Sequence, residues 1–270
     1  MKATCRYITF ITAGLICLFT ILMLPVTGIA KELGFCPGEK MTFEVRWAFI
    51  PAGKVTLEVL PCEKLDGLPV LHFLFTAKTS KLVDAFYKVR DRIESFADIN
   101  LTHSLLYKKI HEGNDSVRES TVTFDWKNKE ARYTNSENET GSIQIDENTF
   151  DPLSVYYAFR IEQPNKNNEI IVRVTDGKKL IKATGKIIKK QKITVAGKSY
   201  NTLLVQPEIE GVSGVFKKTK NSKLRIWVTD DKRRIPVRIK SAVTVGSFVA
   251  DLISYTSGNE ANFASSEQPD

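Results

Sequence analysis

Between residues 42 and 255 apolar and polar residues change places with a period of two, and that period constrains the fold more than any other feature. Phe43, Val45 and Trp47 are in phase, separated by Glu44 and Arg46. Val55, Leu57 and Val59 alternate with Thr56 and Glu58, and Leu71, Phe73 and Phe75 follow. Successive side chains of a strand point to opposite faces, so such runs predict strands with one face on a core and one on water. The first two predicted strands, 41–47 and 54–60, are joined by a turn at Ile50-Pro51-Ala52-Gly53. Further runs cover 87–97, 103–111, 117–126, 130–134, 142–145, 170–175, 180–194, 198–207, 223–229, 235–240 and 243–255. Asp66-Gly67, Gly113-Asn114-Asp115, Asp176-Gly177 and Ala196-Gly197 supply turn chemistry between them. One helix is predicted over 151–160. Asp151 suits its N-cap and Pro152 its first position, while Leu153, Tyr156 and Tyr157 form an apolar face. The expected architecture is mainly β: a large curved antiparallel sheet or open barrel with one helix packed against it. A long sheet must curl, and its concave side must be filled by a helix or hold an apolar ligand.

The N-terminus sets the compartment. Lys2 and Arg6 precede an apolar run over 8–24, Pro25 breaks it, and Gly28-Ile29-Ala30 follows. Basic segment, apolar segment and small-residue site make a secretory signal, expected at 1–30 and cleaved after Ala30. The seventeen-residue run also reaches the lower end of the roughly 17–25 that span a bilayer, so retention as an anchor is the alternative. Residues 31–256 are expected to form a single β-rich domain, with a disordered tail over 257–270. Export removes Cys5 and Cys17 and leaves Cys36 and Cys62, which are expected to pair as a disulfide across the first hairpin. The formal charge falls from +8 to +6 when Lys2 and Arg6 are lost. The remaining excess gathers around Lys178–Lys192, Lys217–Lys223 and Lys232–Lys240. These clusters either keep exposed strands soluble or face an anionic membrane surface. Nucleic acid is an unsuitable partner for an exported chain.

No catalytic, cofactor-binding or metal-binding set is legible. His72, His103 and His111 stand in no metal-ligand spacing and read as surface or strand-end residues. There is no G-x-S-x-G elbow or phosphate loop, and Asp230-Asp231 reads as a turn. The aromatics are more informative. Trp47, Trp126, Tyr156, Tyr157 and Trp227 are the candidate lining of an apolar ligand groove, against the alternative that they are core.

Several short pieces in a fixed order resemble a known family. They are Pro37-Gly38-Glu39, Trp47 with Pro51-Ala52-Gly53, Tyr87-Lys88-Val89-Arg90-Asp91, and Phe150-Asp151-Pro152-Leu153-Ser154 leading to Tyr157 and Arg160. Ile226-Trp227-Val228-Thr229-Asp230-Asp231, Arg234-Ile235-Pro236-Val237 and Val245-Gly246-Ser247 complete the set. The chain resembles the bacterial exported proteins grouped as domain-of-unknown-function family 3108. That resemblance implies a periplasmic protein of the Gram-negative envelope and, more loosely, a fold like the open barrels that carry lipids or lipoproteins. It brings no activity or catalytic residues. The expected function is non-enzymatic binding or carriage of a lipid or lipoprotein ligand. The alternatives are a structural module in envelope assembly and a hydrolase acting on envelope polysaccharide.

Overall fold

The period-two runs become strands in the computed structural model, which describes residues 33–209, 224–242 and 246–259. The chain divides into two units, Met1–Glu32 and Leu33–Asp270. The first, with the expected signal, lies outside the described residues, as do 260–270 of the expected tail and Lys217–Lys223 of the basic clusters. The described residues contain β1 (Lys40–Trp47), β2 (Ile50–Leu65), β3 (Leu68–Thr79), β4 (Arg90–Asp98), β5 (Ser104–Glu112), β6 (Val117–Asp125), β7 (Glu130–Asn135) and β8 (Thr140–Gln144). They continue with β9 (Thr149–Phe150), β10 (Glu169–Thr175), β11 (Leu180–Val195), β12 (Lys198–Ile209), β13 (Leu224–Thr229), β14 (Pro236–Ala242) and β15 (Ser247–Thr256). The helices are α1 (Lys81–Asp84) and α2 (Ser154–Ile161).

All these strands share one sheet, in the order β8-β7-β6-β5-β4-β3-β2-β1-β15-β14-β13-β12-β11-β10-β9. Neighbours are antiparallel except β9, which runs parallel to β10. Two meanders, β1–β8 and β10–β15, therefore meet where β1 pairs with β15 and Phe43 lies opposite Leu252. The outer strands β8 and β9 are consecutive in the chain, with only residues 145–148 between them, so the sheet curls until its edges approach. It remains open, and side chains bridge the gap. Arg173 meets Asp146 at 2.7 Å, and Lys178 lies 3.4 Å from Glu139 and 4.4 Å from the centre of the Tyr133 ring. The turn between β10 and β11 tucks against β6 and β7. A Cβ on Gly177 would lie 2.9 Å from Val122 and Tyr133, and φ there is +84°, so glycine is required. Antiparallel order sorts the connections. Residues 48–49, 80–89, 113–116, 136–139 and 176–179 lie at one end of the curled sheet; 66–67, 99–103, 126–129, 196–197 and 230–235 lie at the other.

The first hairpin departs from expectation. Its turn is Ala48-Phe49, with Ala48 at φ +52°, and Ile50–Gly53 belong to β2. Gly53 serves close approach, since a Cβ there would stand 2.2 Å from the Lys78 carbonyl oxygen. Pro51 sits at a register irregularity, where its missing N–H costs no regular ladder bond. The expected disulfide is also corrected: no bond joins Cys36 and Cys62. The chain turns at Pro37-Gly38, where the Glu39 N–H donates to the Cys36 carbonyl at 3.0 Å, so Cys36 leaves the ladder. Cys62 falls in a second irregularity, between Leu60 and Glu63. Both cysteines are half-buried, and burial pushes the Cys62 thiol pKa up. The predicted strand over 87–97 begins only at Arg90; of the run predicted over 243–255, residues 243–245 lie outside the described residues and β15 starts at Ser247. His72 is not a surface residue: it is buried in β3, stacked on Phe96 at 4.2 Å, with Nδ1 2.7 Å from Glu63.

The predicted helix forms inside the curl. It begins at Ser154 with Leu153 in the N-cap position, later than the predicted Asp151, but the Asp151 side chain still serves its entrance. Its Oδ1 accepts the N–H groups of Leu153 (2.7 Å) and Ser154 (3.0 Å), and Oδ2 accepts the hydroxyls of Ser95, Ser104 and Ser154 at 2.6–2.7 Å. The buried carboxylate thus ties the start of α2 to β4 and β5, with every bond charge-assisted. At the other end, Arg160 and Glu39 form a buried pair. The guanidinium donates to both Glu39 oxygens (2.5 and 3.0 Å), to the Gly34 carbonyl (3.1 Å) and to the Arg233 carbonyl (2.8 Å). Burial opposes the Arg160 charge, but the Tyr156 oxygen and the Glu39 carboxylate outweigh it, so its pKa is held above the ordinary value. Between these anchors the fully buried Tyr157 stacks on Phe73 at 3.9 Å and meets Phe35 edge-on at 5.1 Å.

Candidate functional site

Helix α2 divides the concavity into two unequal parts. Toward β1–β6 the space is solid core: Phe43, Val59, Leu71, Phe73, Tyr107 and Val122 are all buried around Tyr157 and Leu153. Toward β10–β13 a cleft of about 510 Å³ stays open. Its sheet wall follows directly from alternation. Ile181, Ala183, Gly185 and Ile187 of β11 face it, as do Leu203 and Val205 of β12 and Leu224, Ile226 and Val228 of β13. Its helix wall is Val155, Tyr156 and Phe159. Arg160 of the helix and Thr175 of β10 also line the cleft.

Besides Arg160, whose guanidinium is held by Glu39, the charged residues of the lining are Asp176, Lys179 and Arg234. Asp176 and Lys179, from the β10–β11 turn, line the end nearest the start of α2. Arg234 lines the opposite end, where Nη1 donates to the carbonyls of Phe159 (3.3 Å) and Glu162 and Nη2 to Gln163 Oε1 (3.5 Å). It thereby satisfies carbonyls that the last turn of a helix leaves open. Burial pushes the Arg234 pKa down and the Glu162 charge opposes that shift. These three bonds leave two of the five guanidinium N–H groups for another acceptor. Burial also pushes the Tyr156 hydroxyl pKa well up, so it is neutral, and it lies 3.7 Å from the Met41 sulfur.

Of the five predicted groove residues, only Tyr156 lines the cleft. Tyr157, one position on, turns into the solid core. Trp227 alternates with Ile226 and Val228 and so projects from the opposite face of β13. Trp126 packs 4.4 Å from His103 and donates its N–H to the Ser104 carbonyl at 2.8 Å. Trp47 ends β1, 40% exposed, stacked with Phe248 at 6.5 Å. The residues that do line the cleft are mostly aliphatic, and only the strand parity of 181–187 and 224–228 could have pointed to them. Among the described residues no group of His, Cys, Asp and Glu could hold a metal ion. The cleft carries one carboxylate, Asp176, where glycoside hydrolysis uses a facing pair. No helix among the described residues is long and apolar enough to cross a membrane.

Comparison with known proteins fits this architecture. A solved β-barrel-like protein of domain of unknown function DUF1849 from Brucella abortus superposes with a TM-score of 0.54 at 8% identity, covering 83% of this chain and 99% of that one. That likeness concerns the fold alone. A "putative lipoprotein" from Parabacteroides distasonis is similar at a TM-score of 0.34 and 11% identity, over 83% of this chain and 98% of that one. No curated protein matches the sequence. The family described as "Protein of unknown function (DUF3108)" matches residues 42–253, and the chain belongs to that family.

Proposed function

We propose that this chain is a periplasmic carrier that holds the acyl part of a lipid or lipoprotein in the cleft between α2 and β10–β13. The observation that carries the reading is the open apolar half of the concavity, about 510 Å³, beside a half that side chains fill completely. Its size falls within the roughly 300–1,000 Å³ of small-ligand sites, which pair an apolar lining with a few placed polar groups. Arg234 and Lys179 are those groups here, and either cation suits an anionic headgroup. The export signal expected at 1–30 supports the envelope setting. The sheet edges support a carrier over a module that pairs strands with another protein. β9 is two residues long and β8 five, which is how proteins blunt an edge against pairing.

The test is native mass spectrometry with lipid extraction on protein purified from its own host, alongside Ala183→Phe. Ala183 is buried and faces the cleft, so the larger ring occupies the ligand volume. The wild type should carry lipid in near-stoichiometric amount and the variant several-fold less. Lipid-free wild type, or equal lipid on both, removes the reading.

A further inference from the structure

Every exposed aromatic side chain among the described residues stands at one end of the curled sheet. Phe49 is 88% exposed, Phe86 80%, Tyr87 66%, and Trp47 and Phe248 40% each; Leu82, 63% exposed, joins them. Trp47 and Phe248 close β1 and open β15, Phe49 tips the β1–β2 turn, and the other three belong to the β3–β4 connection. Scattered apolar residues are ordinary on a surface; a group of this size at one end marks an interaction site.

The fold does not require these residues where they are. A two-residue hairpin turn favours Asn or Gly, yet Ala48-Phe49 occupies this one. The β3–β4 connection is held firmly by polar bonds that leave its apolar side chains facing out. Ser80 caps α1 and bonds to the Pro51 carbonyl at 2.8 Å. Asp84 bonds to Arg90 at 3.0 and 2.5 Å. Asn114 accepts the Lys88 N–H at 2.5 Å and donates to the Phe86 carbonyl at 3.3 Å. Ser80 N–H to the Ala52 carbonyl (2.8 Å) and Ala48 N–H to the Ser247 carbonyl (2.9 Å) join the connection, the turn and β15 into one platform.

Charge at this end selects the occupant. Lys54, Lys78 and Lys81 are exposed, and none forms an ion pair with a described residue. Lys54 and Lys78 lie directly opposite each other across β2 and β3, and Glu44, opposite Lys54 on β1, answers only one of the two charges, so an anionic surface would relieve the other. Trp, Tyr and Phe beside lysines is the composition that sits in the water–bilayer interface.

We propose that this rim docks the protein on the anionic face of a phospholipid bilayer, with Phe49 and Phe86 entering the interface and Lys54, Lys78 and Lys81 meeting lipid phosphates. The proposal rests on the envelope setting proposed above, but not on lipid in the cleft. It gives the carrier an orientation, because the cleft end lined by Asp176 and Lys179 lies on this same side of the sheet.

The experiment is co-sedimentation of host-purified protein with phosphatidylglycerol–phosphatidylethanolamine vesicles and with phosphatidylcholine vesicles. Tryptophan emission reports insertion, and light scattering reports oligomeric state. The wild type should bind the anionic vesicles with a blue shift, in a salt-sensitive manner. F49S/F86S should bind about tenfold or more weakly at an unchanged thermal midpoint, since both rings are already exposed. K54E/K78E/K81E should lose the preference for anionic lipid. Failure of the wild type to bind, or equal binding by F49S/F86S, overturns the proposal. So does self-association that F49S/F86S abolishes, which would make a second copy the occupant. Ala183→Phe should bind vesicles like the wild type, so failure of the cleft reading leaves this result separate.

Discussion

Replacing Arg160 by Met should be one of the most damaging single changes in the described domain. The pair is sealed: Glu39 is 1% exposed and Arg160 3%. Met keeps the length of the stem but removes four bonds, two to Glu39 and one each to the Gly34 and Arg233 carbonyls. Among the described residues, the Glu39 carboxylate would keep one hydrogen bond, donated by the Tyr255 hydroxyl at 3.3 Å. Removing one partner of a buried ion pair costs about 3–5 kcal/mol, chiefly because the other charge stays buried. Total stabilities run about 5–15 kcal/mol, so the loss is about a fifth of the total or more. At about 2–4 °C per kcal/mol for a domain of this size, the midpoint should fall by roughly 6–20 °C. The mechanism predicts one further signature. E39Q/R160M, which also removes the charge, should regain about 2 kcal/mol over R160M. Urea titration followed by tryptophan fluorescence measures both quantities. A loss under about 1 kcal/mol for R160M, or a double variant no better than the single, would refute the argument.

Two smaller predictions test the rims. Arg90 and Thr79 beside Asp84 hold its carboxyl pKa down at about 2, so its contribution to the β3–β4 connection is complete above the ordinary carboxylate pKa and lost as pH falls through about 2. A carbon-13 NMR titration of the Asp84 carboxyl with a midpoint near 3.8 contradicts that bonding. Gly177→Ala should cost about 2 kcal/mol, combining a left-handed backbone with contact against Val122 and Tyr133, whereas Gly197→Ala at φ +79°, with nothing within 4 Å, should cost only about 1 kcal/mol. Equal costs in denaturant titrations would mean that the tuck of the β10–β11 turn against β6 and β7 contributes nothing.

Much of the fold was legible because strand parity is a local property. The alternation around Phe43, Leu57 and Phe73 foretold β1–β3, and Asp151-Pro152 marked the approach to α2, which starts at Ser154 with the Asp151 carboxylate accepting the N–H groups of Leu153 and Ser154. Pairing was not legible. Nothing near Phe43 names Leu252 as its partner, and Arg160 and Glu39 are 121 positions apart. The Pro51-Ala52-Gly53 reading failed because glycine and proline have two uses in a sheet, turning and close approach, and tertiary contact with Lys78 chose the second. The groove prediction failed for a related reason. Aromatic identity does not tell which face is concave, and the open part of the concavity is lined mainly by Ile, Leu and Val, with the large rings spent on core and rim. Phe49 and Phe86 carried no sequence signal, since a lone Phe in a connection looks like any other apolar residue until the connections are gathered at one end.

The pairing of β1 with β15 also bears on the order in which the molecule can be completed. A nascent chain emerges amino end first, and its first strand waits for the last: Phe43 has no Leu252 until some two hundred residues later. Until then the margin of β1 away from β2 is an open edge able to template strand addition. The early hairpins can zip locally, but the central seam closes only when the whole meander β10–β15 is available, a slow step of high contact order. A rearranged gene, with the ends of the described domain joined and the break moved to 145–148, would place β9–β15 before β1–β8, so that β1 follows β15 directly and the seam becomes a local pairing.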